Sequence, residues 1–428
     1  MKTFALVTLG CKVNSYESQW YREQLLQYNM TEVSYKEIAD VYIINTCAVT
    51  NVASAKSRQK INACRKLNPN AIICAVGCYV QTSQQHDVWD DIDLVIATSG
   101  KKQLPQLVME ALENRQHKVV YEETREFEMD SMPLKSYQQT RAYLKIQDGC
   151  NQFCSYCIIP YARGKERCLP IEEVLENAKS LVKDGHKELV LTGIHTGRYN
   201  DKGHTLTDLM KLLMKEVSGL QRLRISSIEI TEVPDEMIEF MQQEPRIARH
   251  LHIPVQASTN EILEKMNRPY TVEEFISRLE HIRSKLPDVS ISTDIIVGFP
   301  YESDEIFEMG IKNLEKMQFS FLHVFPFSSK EGTVAHTMKE KVSGVVQKNR
   351  VKYLTNLSVK LYNTYKQKLI GSTKEVYFET YQKGVLMGHT SEYVPVKVKS
   401  DIDRRNEIVS VECTSLLDHE VWGTIIEG

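Results

Sequence analysis

The chain has 428 residues, 42% hydrophobic and 25% charged, with a formal net charge of −3. This is the balance of a globular protein of about two to four domains, and it excludes a chain dominated by disorder or by one sign of charge. No run of about 18 apolar residues is present to cross a membrane. The apolar stretch at Met1–Val7 is too short for a secretory signal and is expected to be a first strand. Ten cysteines then point to metal ligands or buried thiols rather than disulfides. A cytoplasmic monomer without a membrane partner is expected.

In chain order, short apolar runs at 2–8, 41–45, 71–76 and 93–97 alternate with helix-periodic segments at about 14–28, 51–67 and 101–113. Such alternation predicts an α/β fold whose parallel sheet carries helices on its faces. In open sheets of this kind ligands gather beyond the carboxyl ends of the strands. Cys11, Cys47 and Cys78 each follow one of the runs, so the topology can bring them to one rim. From spacing alone they are either a second metal site or small buried hydrophobes. Gly10 and Gly77 precede two of them, where a turn beside a bulky group needs a permissive backbone. Cys64 and Cys74 are expected to be buried thiols.

Residues 114–140 are polar and charged and are expected to form a connector. Beyond it, strands at 141–147, 188–193, 223–230, 250–256, 289–297 and 319–325 alternate with amphipathic helices at about 171–184, 206–217, 234–246, 272–285 and 303–316. This repetition predicts an open, partial (β/α)6 barrel with its chemistry on the loops after the strands. The loop after the first of these strands reads Asp148-Gly149-Cys150-Asn151-Gln152-Phe153-Cys154-Ser155-Tyr156-Cys157. Cysteines at CxxxCxxC spacing can hold three corners of a cubane iron–sulfur cluster and leave one iron open to a ligand. A zinc site would want a second ligand pair, and none follows.

Between Lys341 and Lys374 the chain carries eight Lys or Arg and no Asp or Glu. Helical spacing there reads either as a phosphate-binding stripe or as a solvated helix face. Alternating runs at 373–380, 384–389, 393–398, 406–412 and 418–426 predict a small antiparallel barrel of oligonucleotide-binding type. Trp422 is expected in its core. Tyr393 is expected either to stack on bases or to fill the barrel.

The cysteine loop, down to the aromatic Tyr156 before its last cysteine, resembles the signature of the radical S-adenosylmethionine superfamily. The resemblance implies that Cys150, Cys154 and Cys157 hold a [4Fe-4S] cluster whose open iron chelates S-adenosylmethionine, and that reductive cleavage yields a 5′-deoxyadenosyl radical. It also implies cofactor contacts at Tyr156, Thr192, Gly193, Ser227, Glu229, Gln256, Asp294 and Gly298. The segments Leu9–Asn14, Asn45–Thr50 and Gly77–Tyr79 resemble the amino-terminal domain of the methylthiotransferase family. There, cysteines matching Cys11, Cys47 and Cys78 hold a second [4Fe-4S] cluster, again with an open iron, and Asn14 and Glu17 match family positions. The carboxyl-terminal strands resemble the TRAM domain, an RNA-binding module. The implied domains are 1–125 for the auxiliary cluster, 136–366 for the radical core and 371–428 for the TRAM-like barrel.

Two S-adenosylmethionine molecules per turnover are implied, one giving a methyl group to the transferred sulfur and one giving the radical. No side chain is required as an acid or base. The loop Leu191–Tyr199 most resembles the branch that acts on C2 of the adenine of N6-threonylcarbamoyladenosine, immediately 3′ of the anticodon. The tRNA anticodon stem-loop would be the partner, with an external electron donor and sulfur source. Branches acting on N6-isopentenyladenosine or on an aspartate of a ribosomal protein are the alternatives, and an RNA-binding iron–sulfur module without catalysis is a third. A threonylcarbamoyl carboxylate needs a cation, and Arg163, Lys165, His195 and Arg198 are the candidates. Cys168 and Cys413 receive no role.

Overall fold

The computed structural model describes residues 1–83, 92–121 and 129–426. The amino-terminal sheet is entirely parallel. Its strand order is Thr31–Glu32, Thr3–Thr8, Val41–Thr46, Ile72–Gly77, Leu94–Ile96 and Lys118–Val120. The two central strands are buried at every residue, which is why they read as continuous apolar runs rather than alternating ones. Helices Lys12–Gln27 and Asn51–Leu67 connect neighbouring strands.

Lys118–Val120 lies inside the stretch expected to be a connector. Among the described residues it pairs only with Leu94–Ile96, and it is largely exposed. An edge strand of three residues with a Lys at its start has too little apolar pattern to announce itself.

The central domain is an open barrel of two parallel ladders. One has the order Arg222–Ile225, Glu188–Thr192, Ala142–Lys145, and the other His250–His252, Ser290–Val297, Phe321–Pro326. Backbone bonds from Leu223 N to Arg246 O and from Ala248 N to Leu223 O join them. The strands Ala142–Lys145 and Phe321–Pro326 are therefore the two free lips. Helix Gly344–Gln367 packs along the second lip, where the Ser358 hydroxyl accepts from Leu322 N at 2.9 Å and donates to Leu322 O at 2.8 Å.

The last residues form a closed five-stranded barrel of Thr373–Gln382, Val385–Thr390, Pro395–Lys399, Glu420–Ile425 and Ile408–Leu417. It docks on the amino ends of the central strands, away from the cysteine loop. Arg222 and Arg224 start that contact: both are buried, both pair with Glu188, and their guanidinium groups donate to the carbonyls of Glu375, His389, Thr390 and Ser391. A buried carboxylate shared by two arginines is a costly arrangement unless every donor finds an acceptor. Here the small barrel supplies them.

Two expectations change in this domain. Trp422 is not core: it lies half-buried on the outer wall beside Lys397, whose ammonium is 5.8 Å from the ring centroid, while its neighbour Val421 points inward. Strand alternation allows only one of the two inside. Tyr393 neither fills the barrel nor faces solvent bases. It stacks on His389 at 4.8 Å, with the guanidinium of Arg224 at 4.9 Å.

Candidate active site

Cys11, Cys47 and Cys78 sit beyond the carboxyl ends of three adjacent parallel strands, Cys47 and Cys78 directly after Val41–Thr46 and Ile72–Gly77 and Cys11 three residues past Thr3–Thr8. Gly10 and Gly77 adopt φ of 99° and 104°. A Cβ on Gly10 would lie 2.9 Å from both Cβ and Sγ of Cys47, so this glycine is what lets two of the cysteines approach. Burial, with the Cys78 and Cys11 thiols nearby, pushes the Cys47 thiol up to about 11.

The second trio lies on the loop after Ala142–Lys145. Residues 265–268 clamp that loop: Ser155 N donates to Met266 O, Ser155 Oγ to Lys265 O at 2.7 Å, and Asn267 Nδ2 to Phe153 O at 3.1 Å. Burial pushes Cys157 up to about 12, with Cys154 and Cys150 adding to the shift. The Arg268 guanidinium donates to Cys154 Sγ at 3.3 Å, and His195 Nδ1 lies 3.4 Å from Cys150 Sγ.

A buried ion network connects the two trios. Lys101 and Lys145 hold Glu17 at 2.8 and 3.1 Å, and Lys145 also holds Asp148 at 2.8 Å. Arg163, fully buried, reaches Glu17 at 3.2 Å and Asp148 at 3.0 Å, and donates to Asn14 Oδ1 at 2.6 Å. Burial alone would raise the Glu17 carboxyl, yet Lys101, Arg163 and Lys145 hold it well below its usual range. Glu17 and Asn14 follow Cys11, Asp148 precedes Cys150, and Arg163 ends the short helix Ile159–Arg163 after Cys157. The same helix packs on Cys78 and Tyr79 through Ile158 and Ala162.

Three buried cations, Lys101, Lys145 and Arg163, face Glu17 and Asp148 in this network, and the partly buried Arg167 adds a fourth 3.6 Å from Asp148. Unbalanced buried charge is expensive. Metal-bound thiolates on either side would balance it, since Cys78 and Cys11 both act on Arg163. Each trio is thus a set of free thiols, with Cys47 in one and Cys154 and Cys157 in the other pushed up by burial, beside surplus cationic charge. That donor set fits an iron–sulfur cluster with three protein ligands.

The remaining cysteines stand apart from both trios. Cys64, Cys74 and Cys413 are buried within apolar clusters. Cys168 Sγ accepts from Asn200 N at 3.4 Å, which ties the loop after the second strand to the cysteine loop.

The residues predicted for cofactor binding cluster at the carboxyl end of the open barrel. Thr192 and Gly193 end one strand, Ser227 and Glu229 follow the next, and Gln256 bridges to Ile295. Tyr156 is partly buried against the core. Asp294 lies within its strand, with His252 Nε2 at 3.3 Å from its carboxylate. Glu229 is ion-paired with Arg268, so its carboxylate steadies the guanidinium beside Cys154. Gly298 accepts the Gln347 amide on its carbonyl at 2.9 Å, and a Cβ there would strike that side chain.

Two of the four expected substrate cations are buried against carboxylates. Arg163 is consumed by the buried network, and His195 is buried between Glu166 at 3.2 Å and Glu232 at 2.8 Å while facing Cys150. Neither has a free face for RNA. Lys165 is exposed, and Arg198 is half exposed with Glu232 at 2.7 Å. Sequence reading missed Arg268, Lys101, Lys145 and Asp148 as site residues. Only their later convergence distinguishes them from ordinary strand and helix charges.

A groove of about 710 Å³ opens next to both trios, lined by Arg58, Tyr79, Tyr161 and Lys330. Tyr79 follows Cys78, and the lining residue Ile158 follows Cys157.

Residues 144–312 match the radical S-adenosylmethionine superfamily, and residues 3–97 match the uncharacterized protein family UPF0004. The chain is 38% identical to the threonylcarbamoyladenosine tRNA methylthiotransferase MtaB of Bacillus subtilis, over 96% of this chain and 94% of that one. It belongs to the radical S-adenosylmethionine tRNA methylthiotransferase family. The MtaB of Aquifex aeolicus is 37% identical over 92% of this chain and 96% of its own. A tRNA-2-methylthio-N(6)-dimethylallyladenosine synthase of Thermoanaerobacter is more distant, at 31% over 99% and 93%. Among solved structures, the radical S-adenosylmethionine methyltransferase TsrM of Kitasatospora setae shares the fold. Its TM-score is 0.55 at 13% identity, covering 76% of this chain and 73% of that one. The methylthiotransferase family uses S-adenosylmethionine and [4Fe-4S] clusters, and the two trios are where this chain would hold them. Among the described residues, no helix is long and apolar enough to cross a membrane.

Proposed function

We infer that this chain transfers a methylthio group to C2 of the adenine of N6-threonylcarbamoyladenosine, immediately 3′ of the anticodon in tRNA. The observation that carries the reading is the pair of three-thiol sites at strand ends of two different sheets, joined through Glu17, Asp148 and Arg163. Relatives 36–38% identical over nearly the whole chain bear the name of that reaction. When bound, the clusters and two S-adenosylmethionine molecules supply a radical able to remove an unactivated hydrogen, a methyl group and an open iron for sulfur.

The chain's own residues hold and orient. Arg268 and His195 place N–H groups at Cys154 and Cys150, and the ion network fixes the spacing of the two trios. No side chain serves as a proton donor to the reacting carbon. Tyr156, Thr192, Gly193, Ser227 and Gln256 surround the mouth where S-adenosylmethionine would sit, and Asp294 lies deeper, in the lumen.

The stem-loop would enter along the groove of Arg58 and Lys330, with exposed Lys165 and Arg198 at phosphates. Exposed Lys348, Lys352 and Lys360 share one face of helix Gly344–Gln367 and extend the same charge. Arg350 and Lys366 of that helix do not contribute: Arg350 pairs with Glu302, and Lys366 donates to His419 O. Lys397 and Trp422 offer a cation and an aromatic face on the outer wall of the small barrel. The sulfur and electrons come from external donors.

Nucleoside mass spectrometry of tRNA from cells with and without this protein tests the assignment. Loss of the methylthio derivative of threonylcarbamoyladenosine, with the parent nucleoside retained, is expected. Persistence of that derivative, or loss of methylthio-isopentenyladenosine instead, overturns it.

A further inference from the structure

The open barrel encloses a cavity of about 360 Å³, at the lower end of the roughly 300–1,000 Å³ span of small-ligand pockets. Its walls are the inward residues of the central strands, among them Ser226, Ser292, His252, Asp294 and His323. Its floor is the small barrel, through His389 and Tyr393. Lys12, the residue after Cys11, reaches the same cavity from the amino-terminal domain. The cavity therefore touches all three domains and adjoins the auxiliary trio.

The charges lining it are not equivalent. Arg141 is paired with Glu379 at 3.2 Å and lies 5.0 Å from the centroid of the Tyr393 ring. Arg224 is held by Glu188 at 2.7 Å and by two carbonyls of the small barrel. Lys12 is accessible to solvent, and among the described residues its ammonium has neither a hydrogen bond nor an ion pair. One uncommitted cation thus projects into a cavity whose other walls combine hydroxyls and imidazoles, the carboxylates of Asp294 and Glu392, and apolar side chains such as Val190, Ile225 and Phe325.

Ser292 already bonds His250 and His252, and His252 pairs with Asp294. The group an apolar tail would cover without a partner is therefore the Lys12 ammonium, at a cost of about 1–3 kcal/mol or more. A tail bearing a carboxylate would satisfy it. We propose that this lumen is the receptor for the amino-acid tail on the modified adenine, with the Lys12 ammonium binding its carboxylate and Asp294 accepting from its hydroxyl or ureido N–H. The proposal rests on the threonylcarbamoyladenosine reading and replaces Arg163 and His195 as carboxylate ligands. It also explains why the small barrel is docked with Tyr393 inserted: that docking closes the far end of the receptor.

The test is equilibrium binding of anticodon stem-loops to the cluster-loaded protein without S-adenosylmethionine, so that no turnover occurs. Stem-loops would carry either the threonylcarbamoyl acid or its carboxamide. Wild-type protein is expected to prefer the acid by about tenfold to a hundredfold, the range of a charge-assisted hydrogen bond. Lys12→Met should bind acid and amide alike, and Lys12→Arg should restore the preference. Iron and sulfide per chain, measured on each variant, separates loss of the tail contact from loss of the auxiliary cluster. Should Lys12→Met lose iron, Lys12→Glu in metal-free protein decides: a reversed preference for the amide supports the proposal.

Retention of the acid preference in Lys12→Met or Lys12→Glu overturns the receptor while leaving the substrate assignment intact. A wild-type protein that does not distinguish acid from amide overturns it too. Modification of isopentenyladenosine stem-loops in place of threonylcarbamoyladenosine ones, seen in the separate turnover assay, removes the substrate assignment and the receptor with it.

Discussion

The two cysteine trios are built by opposite means. Cys150, Cys154 and Cys157 lie on one loop, and eight residues of chain hold all three. Cys11, Cys47 and Cys78 come from three loops and meet only because their strands are parallel neighbours in one sheet. A local site survives rearrangement of its surroundings, whereas a dispersed one depends on the register of the whole sheet. The buried network of Glu17, Asp148, Lys101, Lys145 and Arg163 ties the first kind of site to the second.

Removing one ligand from each trio separates their duties with the largest effect. Cys154→Ala should abolish both S-adenosylmethionine cleavage and methylthiolation, with no 5′-deoxyadenosine detectable. Cys47→Ala should keep 5′-deoxyadenosine formation, lose sulfur insertion and retain about half the iron per chain. Full methylthiolation by the Cys47 variant would sink the two-cluster account.

Cutting the link between the trios comes next. Arg163→Met removes the guanidinium that Glu17, Asp148 and Asn14 share and leaves the buried Asn14 Oδ1 without that donor, a cost of about 1–3 kcal/mol. Denaturant unfolding of the metal-free protein should show that loss. Both trios should then take up iron less completely, whereas a defect confined to one trio would refute the coupling.

A smaller change acts on one trio alone. Arg268→Met removes the N–H donor at Cys154 Sγ, so the cluster there should become harder to reduce. The auxiliary potential, measured by redox titration with electron paramagnetic resonance, should stay unchanged. Smallest of all, Arg198→Ala removes a half-exposed guanidinium from a buried Glu232 that keeps His195 as its partner. It should raise the stem-loop KM severalfold and leave 5′-deoxyadenosine formation alone. Equal loss of both would place Arg198 in the cofactor site instead.

Much of this was legible in the chain before any coordinates. The helices and most strands of the central domain follow the periodicity, because buried parallel strands and amphipathic helices impose strong patterns. The strands expected at 223–230 and 250–256 instead end at Ile225 and His252, where the chain turns into loops at the barrel mouth. The edge strand Lys118–Val120 escaped, since three half-exposed residues carry no pattern. Trp422 was misplaced because a strand's facing depends on register, which a single aromatic cannot reveal.

Sequence by itself determined the local trio, the three-domain order and the family, because these rest on spacing and on long periodic segments. Tertiary structure alone decided where the charges go. Arg163 and His195 look as available as Lys165 and Arg198 in the chain, yet folding buries the first two against carboxylates. Lys12 passes unnoticed beside Cys11 until the open barrel leaves its ammonium facing the lumen without a partner. Charge pairing between residues more than a hundred positions apart, such as Glu17 with Lys145 and Arg163, is set by packing geometry, and no local pattern in the chain encodes it.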